Sequence, residues 1–245
     1  MSSDQLDKVV AVTGASSGIG EAIARELTDA GCRVMLAARR ESQLKSLVQE
    51  LGDRTAYHLT DVTNAQAVQE MAQATIDRFG KIDVLVNNAG VMPVSPLIDL
   101  KLDDWNKAID VNIRGVLHGI AAVLPHMSDR GSGHIVNIGS IASIHAIPNF
   151  AVYCGTKFAV KAISESLRKE TLGKIRVTII YPGAVESELM QSSNDEQTIN
   201  QIASKFSDVS FIPPTAISQA VRYAIAQPPE VAVNEITVRP ANQEL

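Results

Sequence analysis

The chain has 245 residues, 45% of them hydrophobic and 20% charged, a balance that gives a sizeable core and argues against disorder. Its net charge of −5 comes without a long run of either sign, so no concentrated basic patch awaits a nucleic acid. No stretch approaches the roughly 20 apolar residues that span a bilayer, and Met1 to Gln5 carry no basic and hydrophobic signal segment.

Short apolar, β-branched runs recur at Val9–Thr13, Val34–Ala37, Val84–Asn87, Ile135–Ile138 and Val177–Tyr181. They do not alternate apolar with polar, which is the pattern of strands covered on both faces. Helix-length segments with 3.6-type spacing lie between them: Glu21–Ala30, Val68–Phe79 and Val160–Leu172. In the first, Ala22, Ile23, Ala24, Leu27 and Ala30 form the apolar face. Thr63-Asn64-Ala65-Gln66 fits a capping box at a helix start, with the Thr hydroxyl and the Gln side chain each satisfying a backbone N–H. Gly31, Gly52, Gly80 and Gly173 follow helical runs, where a left-handed residue suits glycine. Strand–helix–strand repeated in this way implies a doubly wound parallel α/β sheet of the Rossmann type, about six or seven strands with helices on both faces. A single domain over 1–245 is the expectation, with a substrate loop near 186–213 whose polar stretch Gln191–Gln201 is the candidate lid.

Directly after the first strand comes Thr13-Gly14-Ala15-Ser16-Ser17-Gly18-Ile19-Gly20, and a helix follows. Gly14 permits a tight turn, Gly18 lets backbone approach a pyrophosphate, and Gly20 lets helix and strand pack closely. The helix N-terminus then offers unpaired N–H groups to phosphates. A plain turn is the competing reading. At the end of the second strand, where an NAD-binding fold places an acid for the ribose hydroxyls, stand Ala37-Ala38-Arg39-Arg40. A carboxylate would repel a 2′-phosphate, whereas two guanidiniums grip it, so the cofactor expected is NADP(H). A solvated pair of arginines is the bland alternative.

Tyr153-Cys154-Gly155-Thr156-Lys157 opens a helix that runs to about Leu172, placing Tyr and Lys on one face a turn apart. An ammonium there, together with an oxidised nicotinamide, would favour phenolate and lower the tyrosine pKa from its ordinary value near 10. Ser140 stands at the C-terminal end of a strand, where open α/β sheets bind ligands, and its hydroxyl can donate to a carbonyl oxygen. Taken alone, Ser140 reads as a turn residue. Asn87-Asn88-Ala89-Gly90 ends the fourth strand, Asn112 sits inside a predicted helix, and Asp61-Val62 ends the third strand.

With these motifs in order from Lys8 to Arg239, the sequence resembles the short-chain dehydrogenase/reductase family. The resemblance implies Tyr153 as proton donor in reduction, Lys157 lowering its pKa and holding the nicotinamide ribose, and Ser140 orienting the carbonyl. It implies that Asn112 holds a water for proton relay, that Asp61 and Val62 hold the adenine, and that Asn88, Ala89 and Gly90 lie along the cofactor. Pro182 and Gly183 would face the nicotinamide. The family pattern there is Pro-Gly-x-Val-x-Thr, and the chain reads Pro182-Gly183-Ala184-Val185-Glu186-Ser187, which keeps a hydroxyl for the carboxamide. A homotetramer or homodimer is implied, with helices around Asp103–Met127 and Tyr153–Leu172 at the interface. The ending Val233-Asn234-Glu235-Ile236-Thr237-Val238-Arg239-Pro240 is similar to that of the NADP-dependent branch with 3-hydroxy-acid and serine dehydrogenases and clavulanic-aldehyde reductase.

Met92, Ile141, Ile144, Ile147, Leu189 and Met190 suggest a mainly apolar substrate pocket for a small carbonyl or alcohol. His145 reads as a polar anchor or an ordinary loop histidine, and Glu186 and Glu188 as cation attractors or solvated acids. Cys32 and Cys154 have no metal or redox spacing, so free thiols in a reducing compartment, the cytoplasm by default, are expected. The five histidines form no ligand pair, and no metal is expected. The competing activities are an NAD-linked alcohol dehydrogenase and a cofactor-binding regulator without chemistry.

Overall fold

A computed structural model describes residues 5–189, Thr198 and 208–244. Met190, and Gln191–Gln201 apart from Thr198, lie outside the described residues. β1 (Val9–Thr13), β2 (Arg33–Ala38), β3 (Thr55–Leu59), β4 (Val84–Asn87), β5 (Gly133–Ile138), β6 (Ile175–Pro182) and β7 (Glu235–Val238) form one seven-stranded sheet. The order is β3-β2-β1-β4-β5-β6-β7, with every neighbouring pair parallel. This is the expected doubly wound Rossmann-type fold, and its strand order reverses between β1 and β4. Loops at the carboxyl ends of those strands diverge there and leave a crevice.

The helices are α1 (Gly18–Asp29), α2 (Glu41–Leu51), α3 (Ala65–Phe79), α4 (Leu102–Ile109), α5 (Gly115–Arg130), α6 (Ala151–Glu170) and α7 (Pro214–Ala226). Both faces of the sheet are buried, because successive residues of each strand feed opposite cores. Val10, Val12, Leu36, Val86, Ile138 and Ile180 meet Ile23, Leu27, Leu44, Ile217 and Val221 of α1, α2 and α7. Ala11, Met35, Leu85, Ile135 and Ile179 meet Met71, Val123, Val160 and Leu167 of α3, α5 and α6. Each fully buried Leu or Ile contributes roughly 1.5–3 kcal/mol relative to exposure. The non-alternating strand runs are the sequence trace of this sandwich.

Three local details differ from the sequence reading. Asn64, not Thr63, caps α3: its Oδ1 accepts from the amides of Gln66 (3.0 Å) and Ala67 (3.2 Å). Thr63 instead gives its amide and hydroxyl to Asp61 Oδ1 (2.9 and 2.8 Å), so the cap is displaced by one residue and, with Ala67 at the third helical position, no reciprocal box forms. β3 ends at Leu59, two residues before Asp61. Finally, Leu102–Arg130 runs on as 29 helical residues, long and apolar enough to cross a membrane by length and composition alone. Its Val116, Ile120, Val123 and Met127 are packed in the core, so it is a core helix of this fold.

A buried titratable group sits at the opposite end of the sheet from the crevice. His134, at the start of β5, is 2% exposed; its Nε2 pairs with Thr178 Oγ1 at 2.8 Å, and its Nδ1 has no partner. Burial, assisted by the charges of Arg176 and Lys8, pushes its pKa down to about 3. The folded state therefore resists a proton that the unfolded chain takes up near pH 6.5, so this contribution is intact above pH 6.5 and is lost as pH falls towards 3. Urea unfolding between pH 6.5 and 4 should show His134→Gln losing stability less steeply than the parent, by up to ~1.4 kcal/mol per pH unit. Parallel slopes would remove His134 from the acid response.

Candidate active site

β1 ends at Thr13 and α1 begins at Gly18, so the chain turns within residues 14–17. Gly14 makes the turn at φ +66°, and a Cβ there would come within 2.8 Å of Ala89 Cα. A Cβ on Gly20 would run into Gly14 O, which is why helix and turn pack so closely. Asn88 closes the arrangement: its Nδ2 donates to Thr13 O (3.0 Å) and Gly14 O (3.3 Å). The amides of Asn88 and Ala89 donate to Thr13 Oγ1 at 3.0 and 3.1 Å. Thr13 is thus a clamp between β1 and β4 that the sequence reading treated only as the first letter of a motif.

Ser17 is the N-cap of α1 but makes no side-chain cap, and the first intrahelical amide bond runs from Glu21 to Ser17 O. The amides of Gly18, Ile19 and Gly20 therefore have no intrahelical acceptor and sit at the positive end of the helix. A Cβ on Gly18 would first meet Ser187 Cβ, at 3.5 Å, so a strip of backbone is left open at that point. This cradle fits a diphosphate.

Arg39 and Arg40 follow β2 and are both exposed. Arg40 Nε donates to Ser16 Oγ (3.1 Å), its Nη2 to Ser16 O (3.2 Å) and Ser17 Oγ, and its Nη1 pairs with Glu188 Oε2 (3.2 Å). Arg39 makes no side-chain hydrogen bond or ion pair among the described residues, but its charge reaches Asp61. Burial acts to raise the Asp61 carboxyl, yet the Thr63 bonds and the Arg39 charge together hold it below the usual carboxylate range. Val62 is buried against α5, where a Cβ on Gly115 would touch its side chain, and its carbonyl pairs with His118 Nδ1 at 2.8 Å. The turn after β1, the arginines after β2 and Asp61 after β3 thus follow the carboxyl ends of three neighbouring strands, at one end of the crevice.

At the other end stand the remaining predicted residues. Ser140, in extended backbone after β5, caps the short turn Ile141–Ser143; its Oγ accepts from Ala142 N at 3.1 Å. That leaves the hydroxyl hydrogen free to donate, and the hydroxyl reaches the Tyr153 phenol. Tyr153 is 4% exposed, packed with Val94, Ala142, Phe150 and Cys154. Lys157, one turn on, donates to Ile138 O at 2.9 Å and lies 5.8 Å from the Tyr153 ring centre. Gly90 completes the group: a Cβ there would come within 3.4 Å of Asn112 Oδ1 and 3.8 Å of Lys157 Nζ.

Burial drives the Tyr153 phenol up to about 12, with Ser140 acting the other way, and the Lys157 ammonium donates its hydrogen bond to Ile138 O. Burial also pushes Lys157 down to about 8. Asn112, in the π-turn Asp110–Arg114 between α4 and α5, is a clamp: Oδ1 accepts from Val91 N (2.9 Å), while Nδ2 donates to Val91 O (2.9 Å) and Thr156 Oγ1 (3.0 Å). Thr156 in turn donates to Tyr153 O at 2.7 Å. Both amide hydrogens being committed, the side chain has only one lone pair of Oδ1 to offer a water.

Pro182 ends β6, and Gly183 is packed so tightly beneath the C-terminal segment that a Cβ would collide with Gln243 Oε1 and Arg239. Gln243 Oε1 accepts from Ala184 N at 2.9 Å. Val185 bridges Ile212 in parallel, through Ile212 N to Ala184 O and Glu186 N to Ile212 O, both 3.0 Å. Ser187 then lies against Gly18. Sequence reasoning missed Gln243, an isolated polar residue near the end of the chain with no motif around it. Of the expected pocket residues, Met92 and Ile147 pack against the cluster around Tyr153, but Ile144 packs against the core shared by α3, α5 and α6. Phe150, its ring 6.4 Å from that of Tyr153, was not anticipated. Cys32 and Cys154 are free and buried. Among the described residues no group of three or more His, Cys, Asp or Glu is placed to hold a metal.

Comparison with known proteins gives the same grouping. The family model for short chain dehydrogenase matches residues 8–198. An uncharacterized oxidoreductase of Staphylococcus saprophyticus is 46% identical over 243 residues, covering 98% of either chain. A structure of serine dehydrogenase complexed with NADP+ superposes with a TM-score of 0.90 at 34% identity, over 97% of this chain and 96% of that one. A short chain dehydrogenase/reductase from Burkholderia phymatum in complex with NAD gives a TM-score of 0.86 at 26% identity, over 97% of this chain and 90% of the other.

Proposed function

The chain belongs to the short-chain dehydrogenase family of oxidoreductases, and within it we propose an NADPH-dependent reductase of small aldehydes and ketones, reversible towards the alcohol. The observation that carries this reading is the cluster of Ser140, Tyr153 and Lys157 at the switch point, in one crevice with the glycine cradle and the two arginines. Gly14, Ser16, Ser17, Gly18, Ile19 and Gly20 would hold the diphosphate, and Arg39 and Arg40 the 2′-phosphate. Asp61 and Val62 would hold the adenine, Asn88, Ala89 and Gly90 would line the ribose path, and Pro182, Gly183, Val185 and Ser187 would bound the nicotinamide. Bound there, the reduced cofactor supplies a hydride.

The protein's own part is to hold and protonate. The Ser140 hydroxyl donates to the carbonyl oxygen and sets it against the Tyr153 phenol, which gives up its proton as charge develops on that oxygen. A phenol held near 12 is fully protonated at neutral pH, which suits the reductive direction. Lys157 supplies positive charge as the phenolate forms. Asn112, through Val91 and Thr156, fixes the start of α6 on which both side chains ride. The apolar wall of Met92, Val94, Ala142, Ile147 and Phe150 favours a small carbonyl with few polar groups. A single domain with its substrate loop near 186–213 fits the bridge that joins Val185 to Ile212. The buried free thiols suit the cytoplasm, and exposed Leu117 on α5 and Phe158 on α6 suit a homodimer or homotetramer, which light scattering measures directly.

The test is cofactor oxidation by the purified protein, NADPH against NADH, across a panel of short aldehydes and ketones. Turnover with NADPH exceeding that with NADH is the expected result. A preference for NADH would replace the reading by the NAD-linked dehydrogenase, and tight NADPH binding with no turnover on any carbonyl or alcohol would favour the regulator.

A further inference from the structure

Arg40 is engaged on two sides. Its Nε and Nη2 hold the guanidinium over the glycine-rich turn through Ser16 and Ser17, while Nη1 carries the carboxylate of Glu188 at 3.2 Å. Residues 40 and 188 are remote in sequence, and backbone geometry brings them together. The segment after β6 is tied to Ile212 at Ala184 and Glu186, and Ser187 rests against Gly18, so the next side chain is delivered to the turn.

We propose that Glu188 is an internal competitor for the 2′-phosphate of NADP(H), occupying the Nη1 side of Arg40 until a phosphate takes that place. The inference rests on the reading of Arg39 and Arg40 as the phosphate site. A carboxylate and a phosphate dianion cannot share one guanidinium edge without like-charge repulsion, so one displaces the other. The pair is open to solvent, with side chains 43% and 53% exposed, and such pairs are weak on their own. A ligand with about two negative charges therefore displaces it readily. A ligand without a 2′-phosphate leaves it in place. By reciprocity, phosphate binding and the Glu188 contact with Arg40 are then linked, each weakening the other.

The full-length protein titrated calorimetrically with 2′,5′-ADP and with 5′-AMP, at low and at physiological ionic strength, tests this. Glu188→Gln should bind 2′,5′-ADP about two- to fivefold more tightly than the parent, with 5′-AMP unchanged and the gain shrinking as salt rises. The gain should disappear in an Arg40→Ala background. No gain, or an equal gain for both nucleotides, overturns the proposal. Arg40→Ala alone separates the two possible failures. If it leaves 2′,5′-ADP affinity intact, the role of Arg40 in the phosphate site falls and the competitor with it; if it weakens binding while Glu188→Gln does nothing, only the competitor falls.

Discussion

Tyr153→Phe is expected to lower kcat for carbonyl reduction by roughly 10²- to 10⁴-fold, the usual range for a positioned general acid, while NADPH affinity stays within a few-fold. The ring is what packs: Tyr153 fills a site made by Val94, Ala142, Phe150 and Cys154, and phenylalanine fills it as well. The hydroxyl is what reacts, and its removal takes away the proton and the partner of Ser140 together. The direction of the pKa displacement adds a signature. With burial holding the phenol at about 12, reduction draws on a form populated throughout the neutral range, whereas oxidation of an alcohol needs the phenolate. The oxidative kcat/KM should therefore climb with pH while the reductive one stays level until the alkaline end, where Lys157, held near 8, also loses its charge. Steady-state assays in both directions on parent and variant measure this. Substantial reductive turnover by the Phe variant would sink the assignment of Tyr153 as proton donor.

The central strands were legible because β1, β4, β5 and β6 are buried on both faces, and a run such as Val9 to Val12 has no polar residue to obscure it. The edges were harder. β3 reads Thr-Ala-Tyr-His-Leu and β7 reads Glu-Ile-Thr-Val, each partly exposed, so neither has the uninterrupted apolar run that marks a central strand. Glycines at helix ends were readable from chemistry alone, since Gly31, Gly52, Gly80 and Gly173 all adopt positive φ. The expected capping box does not form, and the cap falls one residue later, because Thr63 and Asn64 are both good caps and Asp61, which draws Thr63 away, acts from outside the local motif.

The same division runs through the site. Residues brought together by motif order were named in advance, whereas their electrostatics were not. The spacing of Tyr153 and Lys157 suggests an ammonium acting on a phenol, but burial, which shifts both groups towards their neutral forms, depends on Phe150, Val94 and the sheet beneath. Asn112 was found for a relay, and its amide proved to be engaged by Val91 and Thr156. Gln243 on Ala184 and Glu188 on Arg40 are contacts between distant parts of the chain, and no periodicity or local spacing announces them.

Arg39→Ala should weaken NADPH binding by about 1.5–3 kcal/mol, some 10- to 150-fold, and leave NADH binding almost unchanged. Arg40 is already held by Ser16, Ser17 and Glu188, whereas Arg39 is exposed at the end of β2 with no hydrogen bond or ion pair among the described residues. A guanidinium without a protein partner has its full donor set to give to a phosphate, and no native bond is lost when it is removed. Fold stability should accordingly change by no more than about 0.5 kcal/mol. Arg39→Lys keeps the charge but not the planar fork, so it should recover only part of the affinity, and that part should fade with salt. Loss of the Arg39 charge also relieves Asp61, whose carboxyl should titrate higher in the variant. Fluorescence titrations with both cofactors decide the matter: a loss confined to NADPH places Arg39 at the 2′-phosphate, and equal losses for NADPH and NADH remove it from that site.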